Sequence, residues 1–169
     1  MRPSILAFLA LGLALLGQPT LALDQKPAIP AEFAPLRFLV GEWISKRADG
    51  KVMKASYRFT SGDTSLTETL TPEKESAMTT MYNVNGNSLM LTHYCSLNNQ
   101  PRMKAAEYKD GDKTLTFLFV DATNLKSPND PHMHKVTFSF QDQNHFIQTW
   151  VLSKDRQELP HSFEFTRTQ

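Results

Sequence analysis

From Gly41 onward the chain alternates apolar and polar residues with a period of two, in short runs separated by turn residues, and shows no sustained helical period. The clearest stretch is 88–108. Leu89, Leu91, His93 and Cys95 alternate there with Met90, Thr92 and Tyr94; Pro101 interrupts, and Met103, Ala105 and Glu107 resume. A period of two means strands with two different faces. Ten strands are predicted, over 41–47, 51–59, 64–70, 78–84, 89–95, 102–108, 114–121, 132–140, 145–153 and 162–168. Asp49-Gly50, Asn85-Gly86 and Asp110-Gly111 supply the residues that tolerate positive φ in tight hairpins. Short turns between successive strands make an antiparallel up-and-down meander, and closure into a barrel removes its unpaired edges. The expected fold is therefore an all-β, up-and-down barrel of about ten strands.

What precedes the barrel reads differently. Arg2, the apolar run from Ile5 to Leu16 and the small residues ending Thr20-Leu21-Ala22 have the pattern of a signal peptide over 1–22. The apolar run spans 12 residues, short of the roughly 20 a membrane helix needs. The expectation is an exported protein, periplasmic or extracellular, with no integral membrane segment after cleavage. Residues 23–40 carry Pro27, Pro30 and Pro35 and read as an extended lead-in closing with a short helix at 34–40; 41–169 is the barrel domain. Eighteen basic and 17 acidic residues, without a basic run, do not suit nucleic acid or an anionic membrane surface. Cys95 stands alone, so no internal disulfide forms.

Up-and-down connectivity sorts the loops. Turns near Gly62, Gly86, Gly111 and Asn144 share one end; loops 70–77, 96–101, 122–131 and 154–161 share the other with the Asp49-Gly50 turn. That describes a cup with a base and a mouth. A turn centred on Asn85-Gly86 pairs Tyr82 with Leu89, Thr80 with Leu91 and Met78 with His93. A three-residue loop at 110–112 pairs Ala105 with Phe117, Met103 with Phe119 and Glu107 with Leu115, and Cys95 is set opposite Met103. The inner face then carries Tyr82, Leu89, Leu91, His93, Cys95, Met103, Glu107, Leu115, Phe117, Phe119 and Asp121. His134, Val136, Phe138 and Phe140 are inner residues of the next strand. Its partner offers either Ile147 and Val151 or Phe146, Gln148 and Trp150.

Two readings of the chemistry stay open. In the first, a small molecule lies inside against Tyr82, His93, Glu107, Phe117, Phe119, Asp121 and Phe138, and Arg102 clamps a carboxylate at the entrance or is simply an exposed loop arginine. In the second, the strand motif His132-Met133-His134 joins His93 and Asp121 at the mouth to hold copper or zinc, with Met78 and Cys95 as soft neighbours suited to copper. The plainer role for His132 and His134 is to hydrogen-bond the loop they follow. His145 falls roughly 18 Å from His134 along the strand, too far to complete a metal site. The first reading needs no cofactor; the second makes the chain a metalloprotein or metalloenzyme.

Phe38-Leu39-Val40-Gly41-Glu42-Trp43 resembles the opening of calycin barrels, the lipocalin-like superfamily. The resemblance implies that Gly41 and Trp43 close the barrel base against a basic residue of the last strand, here Arg167, by cation–π contact. It also implies a small apolar or amphipathic ligand in the interior. Nitrobindin-like haem barrels are similar in layout and make haem the alternative cofactor. They continue the Gly-x-Trp with further glycines, where this chain has Ile44-Ser45-Lys46.

Overall fold

The computed structural model describes residues 33–109 and 111–168. The signal-peptide expectation and most of the lead-in lie outside the described residues. A 3-10 turn over Pro35–Leu39 precedes ten strands: β1 (Gly41–Lys46), β2 (Val52–Thr60), β3 (Ser65–Pro72), β4 (Met78–Asn85), β5 (Ser88–Tyr94), β6 (Gln100–Ala105), β7 (Thr114–Thr123), β8 (His132–Asp142), β9 (His145–Lys154) and β10 (Gln157–Arg167). Each strand pairs antiparallel with its neighbours in sequence, and β1 pairs with β10, so the sheet closes.

Register departs from the sequence reading in informative ways. The β4–β5 turn is Gly86-Asn87, with Asn85 opposite Ser88. Every pairing moves by two residues: Tyr82 faces Leu91 and Thr80 faces His93. An even shift leaves each side chain on its expected face, and Tyr82, Leu89, Leu91 and His93 are all buried. Leu91, not Cys95, stands opposite Met103. Cys95 lies past the strand end, buried in a turn where its N–H donates to the Asn99 carbonyl. Glu107 is not inside: β6 ends at Ala105, and the Glu107 side chain is 84% exposed beside Lys109.

Three bulges reset the faces. Between β6 and β7, Met103 pairs with Phe119 but Arg102 with Asp121, so Val120 is an extra residue and Asp121 leaves the inner face. Between β8 and β9, Met133 pairs with Leu152 but Lys135 with Val151, so His134 is the extra residue. Phe140 pairs with Phe146 and Asp142 with His145, which skips Gln141 and resolves the ambiguous strand: Phe146, Gln148 and Trp150 are inner and buried. The long loop expected at 154–161 is a two-residue turn at Asp155-Arg156, both at positive φ (52° and 63°). Pro160 sits inside β10 without breaking it. β1 meets β10 at Trp43↔Arg167 and Ile44↔Thr166, so at Pro160 the missing N–H falls on an edge.

The base is filled by rings. Trp43 meets Phe146 edge-on at 4.7 Å between centroids, and Phe146 stacks on Phe165 at 5.0 Å. Phe33, Leu36 and Leu39 of the lead-in are fully buried in the same core, each such side chain worth about 1.5–3 kcal/mol of burial. The Arg167 guanidinium lies 4.1 Å over the Trp43 ring and donates to the carbonyls of Val40 (2.8 Å) and Phe38 (2.7 Å). Gly41 has φ 128°, and a Cβ there would come within 2.8 Å of Arg167 Nη1, so glycine is what lets the arginine close over the seam.

Candidate functional site: a mouth cavity above a buried carboxylate

In β3 the alternation Leu66-Thr67-Glu68-Thr69-Leu70 puts Glu68 on the same inner face as two buried leucines, and Glu68 is itself fully buried. Its cross-strand neighbours are Tyr57 on β2 and Thr80 on β4, and Thr80 in turn faces His93 on β5. Tyr57, Glu68, Thr80 and His93 therefore form one lateral row around the inside of the barrel. The Tyr57 hydroxyl donates to Glu68 Oε1 at 2.8 Å, the Tyr82 hydroxyl to Oε2 at 2.6 Å and the Gln148 amide to Oε1 at 2.6 Å. Burial pushes the Glu68 carboxyl above its usual range, and the donors from Tyr82, Gln148 and Tyr57, with Thr80 nearby, pull it only part of the way back. Burial first, and then the Glu68 charge, push the Tyr57 and Tyr82 phenols well above their ordinary value, so both stay donors. Three donors take three of the four lone-pair positions of the carboxylate. They stand in for the cation that a buried carboxylate otherwise requires.

One step toward the mouth, Thr80 Oγ1 and His93 Nδ1 are 2.9 Å apart, and the His93 ring packs on Trp150 at 4.4 Å. Burial lowers the His93 pKa to about 4, so the imidazole is neutral near pH 7. Three buried polar atoms here have no partner: His93 Nε2, Trp150 Nε1 and Gln148 Oε1. His93 and Trp150 line a cavity of about 740 Å³ at the mouth, with Leu70, Met53, Met78, Met133 and Phe163 as apolar wall. His161 reaches it from the β9–β10 hairpin. Its rim mixes Arg47, Lys51 and Lys74 with Asp49, Glu73 and Glu75.

The residues expected at the site are dispersed. Of the expected ligand set, His93 lines this cavity. Tyr82, Phe117 and Phe138 are fully buried against one another (Tyr82–Phe117 5.6 Å, Tyr82–Phe138 6.1 Å) and fill the barrel instead of walling the cavity. Arg102 is not an entrance clamp: its guanidinium forks onto Asp121, both half-exposed, on the outer face where alternation with buried Met103 puts Arg102 and the Val120 bulge puts Asp121. That contact raises the Arg102 pKa and lowers that of Asp121.

The expected metal set does not assemble either. Phe119 stacks on His134 at 5.1 Å and packs on His132 at 4.6 Å, a cluster apart from the cavity wall. His132 Nδ1 donates to the Asp130 carbonyl at 2.7 Å, the plainer role weighed for it, and its Nε2 lies 3.3 Å from His134 Nδ1. Burial, then the neighbouring His132, lower the His134 pKa. Among the described residues no three of His, Cys, Asp and Glu come together as a metal ion requires. The bulges at Val120 and His134 separate them.

The sequence reading missed Glu68 and the roles of Tyr57, Thr80, Gln148 and Trp150. The available signal was a carboxylate two residues from a leucine on either side within a strand.

No protein-family model matches the chain, and no curated protein matches it by sequence. Among solved structures it is similar to the crystal structure of Rv2717c from M. tuberculosis. The match has a TM-score of 0.54 at 12% identity and covers 84% of this chain and all of that one. At that identity the likeness is one of fold alone.

Proposed function

We propose that the chain is an exported, calycin-like barrel that binds a small, largely apolar molecule in its mouth cavity. The observation that carries this reading is the cavity itself: about 740 Å³, walled by methionine and aromatic side chains, above a polar floor. Small-molecule pockets run to about 300–1,000 Å³ with an apolar lining and a few placed polar groups. Methionine walls adapt to irregular apolar shapes. Export is supported by the pattern of residues 1–22, and calycin-like character by the Gly41-Glu42-Trp43 opening with Arg167 over the Trp43 ring.

The test is native mass spectrometry of the protein purified from its producing cells without detergent or chelator. A bound organic mass is expected, and Met78→Trp, which fills the cavity, should displace it. Unchanged occupancy in that variant would place the ligand elsewhere. Near-stoichiometric metal with no organic ligand would sink the reading. N-terminal sequencing of the same protein should begin at Leu23; a chain starting at Met1 inside the cell would remove export.

A further inference from the structure

His132 and His134 form the motif that the cavity leaves unused. In a regular strand, side chains two residues apart stand parallel, about 7 Å apart at the backbone. Here His134 is the extra residue of a bulge, opposed by no residue of β9, and a bulge re-aims a side chain. The two rings come to 5.5 Å between centroids, with His132 Nε2 3.3 Å from His134 Nδ1. The Phe119 ring packs on both, 4.6 Å from His132 and 5.1 Å from His134, and holds them in place. The tautomer of neutral His132 is fixed by its other contact. The Asp130 carbonyl, 2.7 Å from Nδ1, can only accept, so Nδ1 carries the hydrogen and Nε2 presents its lone pair toward His134. A backbone carbonyl on the far ring nitrogen is the usual support of a metal-bound histidine.

We propose that His132 Nε2 and His134 Nδ1 together bind one exchangeable divalent transition-metal ion, with zinc the best fit. Two nitrogens, each about 2.0–2.1 Å from a tetrahedral ion, stand about 3.3–3.4 Å apart, and this pair is already at 3.3 Å. The same distance is long for a hydrogen bond, which for N–H···O runs to about 3.2 Å. The ion takes the place of the hydrogen that lies between the neutral rings, and the hydrogen of His134 moves to its Nε2. Imidazole suits zinc, copper and nickel, whereas magnesium and calcium prefer oxygen ligands. Two protein ligands are fewer than a structural or catalytic zinc keeps, so water fills the remaining positions and the ion exchanges. The bulge that breaks up the larger set expected from the sequence makes this smaller one.

The experiment titrates zinc chloride into the processed chain, bearing no added histidines, and follows it by calorimetry and by nitrogen NMR of the imidazole rings. One equivalent of zinc should bind and shift His132 Nε2 and His134 Nδ1, with the His132 Nδ1 hydrogen retained; magnesium should do neither. His134→Gln should weaken zinc binding by at least about tenfold. His145→Gln, which removes the exposed His145–Asp142 pair, should leave it unchanged. The resonances are read on the unaltered chain, which keeps the proposal testable if a variant does not fold. Zinc that fails to bind overturns the inference, as does zinc that moves the rings of His93, His145 or His161 and leaves these two unmoved. An affinity that survives His134→Gln overturns it as well. Either result leaves the cavity reading where it stood, since neither histidine lines the cavity.

Discussion

The two ends of the barrel use aromatic rings for opposite purposes. At the base, Trp43 packs edge-on against Phe146, its Nε1 donates to the Leu39 carbonyl at 2.7 Å, and Arg167 spends its donors on the carbonyls of Val40, Phe38 and Gln143. At the mouth, Trp150 packs on His93, and both leave a nitrogen bare beside an open volume. A packed region with its polar atoms partnered holds a fold together; bare polar atoms beside a cavity are what a binding site keeps for its ligand. Partnered and bare polar atoms are thus segregated along one axis, and substitutions should sort by which end they touch.

The largest effect is expected at the base. Phe146→Ala removes a ring touching Trp43, Tyr57 and Phe165 and should cost about 3–5 kcal/mol in urea unfolding. Met78→Ala, in the half-buried cavity wall, should cost less than about 2 kcal/mol. Equal losses at the two sites would abolish the distinction.

The mouth should report itself through pH. His93 ordinarily titrates near 6.5, but burial lowers it to about 4 in the folded chain. Between those values the unfolded chain binds a proton that the folded chain refuses. This contribution is complete above pH 6.5 and is lost as pH falls toward 4, by up to about 3 kcal/mol. His93→Phe should remove that slope. Glu68 has the opposite sign, since burial raises its carboxyl above the usual range, and its contribution is common to both proteins. The urea midpoint of each, followed across this window, checks the difference; parallel curves would mean that His93 is not held neutral.

Two glycines sharpen the contrast. Gly41→Ala drives a Cβ to 2.8 Å from Arg167 Nη1 at φ 128° and should cost about 1–3 kcal/mol. Gly50→Ala, at the mouth turn with φ 78° and open space around it, should cost about 1–2 kcal/mol. Thermal unfolding ranks them. The smallest effect belongs to neither end: Arg102→Ala breaks a half-exposed outer-face pair and should change stability by less than about 1 kcal/mol. It should leave the occupancy of the mouth cavity in native mass spectrometry untouched, and a marked loss of occupancy would return Arg102 to the entrance.

The strands were legible because alternation and turn residues act locally. Even the misplaced β4–β5 turn left His93 and Tyr82 inside, because the error was an even number of residues. The site was less legible because a bulge is an odd-numbered event. One extra residue at Val120 carried Asp121 off the inner face, and one at His134 took the histidine pair off the cavity wall. Nothing in the composition around either residue announces it. Glu68 was a different kind of miss. Its position between Leu66 and Leu70 was readable, but that it would be tolerated there depends on Tyr57, Tyr82 and Gln148, the last 80 residues away.

The order in which the strands close has a kinetic consequence. Nine of the ten pairings join strands consecutive in sequence, which form early because little chain has to be looped out. The tenth, β1 with β10, spans the whole domain and has two register pairs where β9 with β10 has ten. This last, slow stitch is held by the Arg167 side chain, whose three carbonyl partners come from the approach to β1 and from the β8–β9 turn. Until Thr166 and Arg167 have emerged, the sheet is nearly complete and the barrel still open; those two residues are the ones that shut it.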